Sequence, residues 1–163
     1  MRANAVGKKC SEVEKAYIAG FLDADGAIMA FIEPHREKRF GFCVRVALKI
    51  TQRDRPILDW MQRVLRVGIV RANRQSSDRQ TFDLHIRDRE AVRTVVTMLS
   101  PHLRVKRRQA AMALRILDRK IESEQDLIRS ARLADALSRF NVRSKNRRKN
   151  FVTKIQEQFS PND

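Results

Sequence analysis

Asp23-Ala24-Asp25-Gly26 places two carboxylates one residue apart, directly before a glycine. They follow Ala16 to Leu22, which carries no charge. Ser11 and Glu14 form a capping-box pair that starts a helix ahead of this run. The two acids therefore fall at the helix C-terminus, where the peptide dipoles already leave partial negative charge. Anions are disfavoured there and a bound cation is favoured. The chemistry implied is coordination of a divalent ion by hard oxygen, which suits Mg²⁺ better than zinc. Gly26 is expected to take the positive φ of a helix stop. A calcium loop is excluded: aligning Gly26 with its glycine puts Phe21 and Ile32 where acidic ligands are required.

The helix that positions these acids is apolar on every side, so it needs two packing partners. One is the chain's own sheet. Ala16, Gly20 and Ala24 recur every four residues and form a stripe of small residues on which a second helix can approach closely. The helix is too short to span a bilayer. After Gly26 the pattern turns to strand. Ile28, Ala30 and Ile32 alternate with Met29, Phe31 and Glu33, and a second strand runs from Phe42 to Thr51. Asp54 is placed to cap a helix bearing Ile57, Leu58, Met61, Val64 and Leu65, and Gly68 ends it. A second hairpin covers Ile69 to Asn73 and Thr81 to Ile86. Asp88 caps a helix to Leu99, and further helices are expected at about 105–121, 124–139 and 148–158. The order αββαββα with extra C-terminal helices predicts an α+β fold with a four-stranded antiparallel sheet. One domain over 1–163 follows, with a dimerisation helix at about 11–25, a sheet at about 27–86 and C-terminal helices at about 104–158.

Lys and Arg number 35 against 19 Asp and Glu, a net charge of +16, which points to a polyanion partner. No segment is long and apolar enough for a membrane, and no small-molecule substrate is indicated. The first ten residues lack the apolar core of a signal peptide. Cys10 and Cys43 stand far apart without a zinc pattern, so a reducing compartment is the simplest expectation. His35, His85 and His102 have no matching nucleophile, so a covalent route is not indicated.

Residues 18–26, Ile-Ala-Gly-Phe-Leu-Asp-Ala-Asp-Gly, resemble the signature of the LAGLIDADG homing endonucleases. A single copy in a short chain is similar to the subfamily that works as homodimers, and the predicted element order agrees. The resemblance implies a Mg²⁺-dependent endonuclease that breaks both strands of a long, nearly palindromic double-stranded DNA site. It implies two or more divalent ions near the dimer dyad, with Mn²⁺ an acceptable substitute. Asp25 maps to the metal ligand and the Ala24 carbonyl to its neighbour. Gln52 maps to a glutamine that organises active-site water, and Lys106 to a basic residue near the scissile phosphate. Arg53 or Arg55 would fill a second basic position. Asp23 is expected mainly to shape the helix end. The encoding introns of this family occur in organelles and microbes, which fixes no compartment.

The outward sheet face then becomes the candidate reading surface: Met29, Phe31, Glu33, His35, Arg45 and Lys49 from the first hairpin. The second supplies Arg71, Asn73, Thr81, Asp83 and His85. Mixed donors, acceptors and apolar groups suit base edges in the major groove. Two basic clusters should hold phosphates: Arg104 and Lys106 with Arg107 and Arg108, and Arg143, Lys145, Arg147 and Arg148 with Lys149. Two rival readings remain at this point, an RNA maturase of the same fold and a noncatalytic basic nucleic-acid-binding protein.

Overall fold

The structure is a computed structural model that describes residues 6, 7, 9–73, 80–141 and 149–159. Arg143, Lys145, Arg147 and Arg148 lie outside the described residues. Helix α1 spans Glu12–Asp25 and runs without a linker into strand β1, Gly26–Pro34. Strand β2 (Phe42–Gln52), helix α2 (Arg55–Leu65), strands β3 (Ile69–Ala72) and β4 (Phe82–Ile86), and helix α3 (Arg89–Leu99) follow. A 3₁₀ turn, Ser100–His102, leads to α4 (Arg107–Asp118), α5 (Glu124–Asn141) and α6 (Phe151–Phe159). The αββαββα order and the added C-terminal helices match the expectation.

The capping box forms as the sequence implies. Glu14 N–H donates to Ser11 Oγ at 3.3 Å, and Ser11 N–H donates to the Glu14 carboxylate at 2.8 Å. Gly26 differs from expectation. Its φ of −92° is extended, so glycine is not there for left-handed backbone. It is there for space: a Cβ would meet Leu22 O at 2.7 Å and Leu22 Cα at 2.8 Å. The absent side chain lets the strand leave the helix end at once. Asp54 makes no side-chain cap; Pro56 in the first turn of α2 supplies the preset φ instead. The stop of α2 is Arg66, at φ 57°, two residues before Gly68.

The sheet is antiparallel in the order β1-β2-β4-β3. Its inner face, with Ile28, Leu48, Ile50, Leu84 and Ile86, is buried under the helices. α1 packs against β1, β2 and α3 through Ile18, Ala19 and Leu22, all nearly inaccessible. α5 packs on β1 and α4, and Asn141 Nδ2 donates to Ile28 O at 2.5 Å. Asp135, inside α5, accepts from Phe151 N–H at 2.8 Å and Val152 N–H at 3.2 Å, capping α6 from a neighbouring helix. No helix among the described residues is long and apolar enough to cross a membrane.

Candidate active site

Three sequence-predicted residues meet at the end of α1. Asp25 is exposed on the last turn, and Gln52 ends β2. Gln52 Nε2 donates to Asp25 Oδ2 at 2.6 Å. The strand register brings them together: Gly26 faces Ile50, so the end of β2 overhangs the helix end. No described side chain donates to the other Asp25 oxygen. Lys106 lies beside them, and its ammonium donates to the Asp23 carbonyl oxygen. Burial pushes the Lys106 pKa below the ordinary lysine value, with Asp23 and Asp25 pulling the other way.

Asp23 acts differently from the expectation. Its carboxylate accepts from the backbone N–H groups of Arg104 (2.6 Å), Val105 (3.1 Å) and Lys106 (2.9 Å). It therefore caps the entry to α4, whose own N-cap residue, Lys106, makes no side-chain cap. Burial alone would raise the Asp23 pKa. The three N–H donors and the Lys106 charge outweigh it and hold the carboxyl below its usual range. The first acid of the pair is thus occupied, and the second is open. Sequence spacing could not show this, because the donors lie 81 to 83 residues away.

Among the described residues, no group of three or more His, Cys, Asp or Glu could hold a metal. One protomer offers Asp25, with Ala24 exposed next to it. That donor set fits a hard divalent ion whose remaining ligands come from outside the chain. Arg53 and Arg55 are separated by their contacts. Arg55 pairs with Asp59 at 3.4 Å and stacks over Phe82 at 5.7 Å. Arg53 is exposed and no described residue pairs with its guanidinium.

The other face of α1 is bare. Val13 (79% exposed), Ala16, Tyr17 (50%), Gly20 and Ala24 form one exposed stripe. A Cβ on Gly20 would meet nothing within 4 Å. Tyr17 is braced edge-on by Phe21 and Trp60, at centroid distances of 5.1 and 5.6 Å.

On the outward sheet face, register sets Phe31 opposite Arg45, Lys49 opposite His85, and Asp83 between Thr51 and Arg71. Asp83 points outward as expected yet is buried. Thr51 Oγ1 donates to it at 2.6 Å, and Lys49 and His85 lie within 3.7 and 3.6 Å. It is an anchor for its neighbours more than a free acceptor. Burial pushes the His85 pKa down, Asp83 opposes, and Lys49 and Arg87 add to the fall. Arg45 pairs with Glu33 at 3.4 Å, both half-exposed. Met29 and Phe31 are partly exposed, and Arg71 is exposed. Asn73 N–H donates to Thr81 O at 2.8 Å, and Thr81 Oγ1 is buried without a partner. His35 sits at the first hairpin tip, where its N–H donates to Gly41 O at 2.7 Å. Arg104 is exposed beside the Asp23 cap.

A bare helix stripe ending in an open carboxylate, joined directly to a four-stranded antiparallel sheet, is the α+β architecture of the single-motif class that the sequence resembles. Residues 18–114 match the family model described as LAGLIDADG endonuclease, and the chain belongs to that family. It is 32% identical over 130 residues to DNA endonuclease I-CvuI of Chlorella vulgaris, covering 76% of this chain and 77% of that one. It is 31% identical over 104 residues to DNA endonuclease I-CreI of Chlamydomonas reinhardtii, covering 63% of this chain. That match spans 61% of the length of I-CreI. In solved structures, I-CvuI bound to the I-CreI target in the presence of magnesium, with the DNA not cleaved, superposes with a TM-score of 0.77 at 28% identity. The superposition covers 90% of this chain and 92% of that one. An archaeal intron-encoded enzyme, I-Vdi141I, shares the fold at 21% identity, a TM-score of 0.74, and 90% and 96% coverage.

Proposed function

We propose that this chain is a homodimeric, divalent-metal-dependent endonuclease that cuts both strands of a long, pseudo-palindromic DNA site. The observation that carries the reading is the Gln52–Asp25 hydrogen bond at the foot of the exposed α1 stripe, with Lys106 alongside. Two copies joined through Ala16, Gly20 and Ala24 bring two Asp25 carboxylates toward a common axis. Unneutralised, that pair would repel. A divalent ion held by Asp25, with the Ala24 carbonyl as a second oxygen, would neutralise the phosphate and lower the pKa of an attacking water. Mg²⁺ is the expected ion, with Mn²⁺ as a substitute and two or more ions per dimer.

The side chains have separate tasks. Gln52 holds one Asp25 oxygen and leaves the other open, and its own carbonyl oxygen would orient water. Lys106 puts a positive charge where charge develops on the phosphate and the leaving oxygen. Arg53 is the better candidate for the second basic role, because Arg55 is engaged with Asp59 and Phe82. The outward sheet face reads bases, with Lys49 and His85 held by Asp83 and Arg71 exposed on the neighbouring strand. The relatives' complexes with DNA in magnesium or calcium support this reading.

The test is cleavage of a randomised double-stranded DNA library in Mg²⁺, with EDTA and a matched RNA pool as controls. Selective, EDTA-sensitive double-strand breaks are expected. Binding of DNA with no cleavage under Mg²⁺ or Mn²⁺, or preference for the RNA pool, would overturn the proposal.

A further inference from the structure

β2 is longer than the strand beside it. β4 pairs only with Leu48 to Gln52, so residues 42–47 of β2 have β1 on one side and no described strand on the other. A groove of about 690 Å³ runs along this free edge, between the first hairpin tip, the start of α3 and the end of α4. Phe42, Val44, Ile116 and Ile121 give it an apolar wall. The one carboxylate among its described lining residues, Asp88, is taken up capping α3 through Ala91 N–H at 2.8 Å. Lys38, Arg87, Arg119 and Lys120 also line it, and no described carboxylate pairs with any of them. Arg119 Nε is buried without a hydrogen-bond partner.

We propose that this groove docks an extended, acidic segment of another protein, which adds to the free edge of β2 in line with β4. A strand edge presents N–H and C=O groups in alternation. Phosphates only accept, so a nucleic-acid backbone would leave the carbonyls unmatched, whereas a peptide satisfies both sets. The apolar wall is likewise surplus to a phosphate clamp. A segment alternating apolar and acidic residues places its apolar side chains against Phe42, Val44 and Ile116. Its carboxylates then reach Arg87, Lys120 and the Arg119 guanidinium where it lines the groove. Of β2 residues 42–47, which no described strand pairs on this side, Cys43, Val44 and Arg45 are accessible, and a partner strand of ordinary length, about five or six residues, would cover them. None of these four cations belongs to the site around Asp25, although Arg45, on the outward sheet face, also lines the groove.

The full chain is titrated with a fluorescein-labelled peptide of about eight residues alternating Glu and Val, near the common strand length. A peptide of the same composition with Glu and Val in separate blocks is the control. Fluorescence anisotropy gives affinity, and amide shifts in ¹⁵N-labelled protein locate the site. The alternating peptide should bind about tenfold more tightly than the blocked one, with shifts centred on Cys43 to Ala47. Arg87→Glu with Lys120→Glu should weaken it by about tenfold or more, as loss of charge-assisted contacts requires, with the melting temperature unchanged. Equal affinity for the two peptides would overturn the proposal. So would unaltered binding by the double variant, no binding at millimolar peptide, or shifts confined to the Lys49–His85 face. A short DNA duplex that occupies the same edge and excludes the peptide would also contradict it.

Discussion

Asp25 and Asp23 are separated by one residue and have opposite fates. Asp23 spends both oxygens on the backbone ahead of α4; Asp25 shares one oxygen with Gln52 and leaves the other open. Gln52→Ala should therefore reduce the cleavage rate by about tenfold to a hundredfold, the scale of losing an outer partner of a metal ligand, with little change in DNA affinity. Single-turnover kinetics on a bound target would check this. Lys106 adds a pH signature. Its pKa is lowered chiefly by burial, so its positive charge is lost at lower pH than an ordinary lysine's as pH rises. The alkaline limb of the rate profile should fall below the usual lysine range, and Lys106→Arg should move that limb upward. A limb unmoved by the arginine variant would assign it to another group. The carboxylate pair at the end of α1 was legible in the sequence from its spacing, while Gln52 and Lys106 were pointed to only by the resemblance; the structure brings Asp25, Gln52 and Lys106 side by side. The Asp23 cap was not legible, because nothing local marks a donor on the far side of the chain.

At the scale of elements, the junctions matter more than the interiors. Gly26 permits a helix to become a strand with no intervening loop, and Asp23 then ties the entry to α4 onto that same junction. Asp23→Ala should cost about 0.5–2 kcal/mol at neutral pH, the range for a lost cap. The folded-state pKa of Asp23 lies below the unfolded value, so its contribution is complete above about pH 4 and fades as pH falls through the folded pKa. Thermal melts of the two proteins should differ at pH 7 and converge in strong acid. A constant difference across that range would exclude the charged cap. Gly26→Ala should destabilise by about 1–3 kcal/mol, because the added methyl meets Leu22 backbone atoms that a rotamer change cannot move. The strand and helix order was readable from periodicity. The lengths that create the open β2 edge were not, since they depend on where β4 stops relative to a strand some thirty residues earlier.

At the scale of the molecule, the exposed stripe on α1 and the excess of positive charge are what the proposed dimer and its DNA would cover. Val13 and Tyr17 are large apolar side chains left open beside a bare Gly20, which suits close approach of a second α1. Gly20→Leu should break the dimer and abolish both binding and cutting, as sedimentation and cleavage assays would report. A net charge of +16 predicts affinity that falls steeply with salt. If a dimer neutralises roughly ten phosphates, the log–log slope is about −9.

The central claim is that two Asp25 carboxylates, gathered by paired first helices, carry the metal chemistry on bound DNA. Cleavage by Asp25→Asn on the selected target, measured in Mg²⁺ beside its binding curve and its melting temperature, addresses it most directly. The predicted result is a folded, dimeric variant that holds the duplex about as well as the parent and leaves both strands whole. Persistent double-strand cutting by that variant would contradict the account.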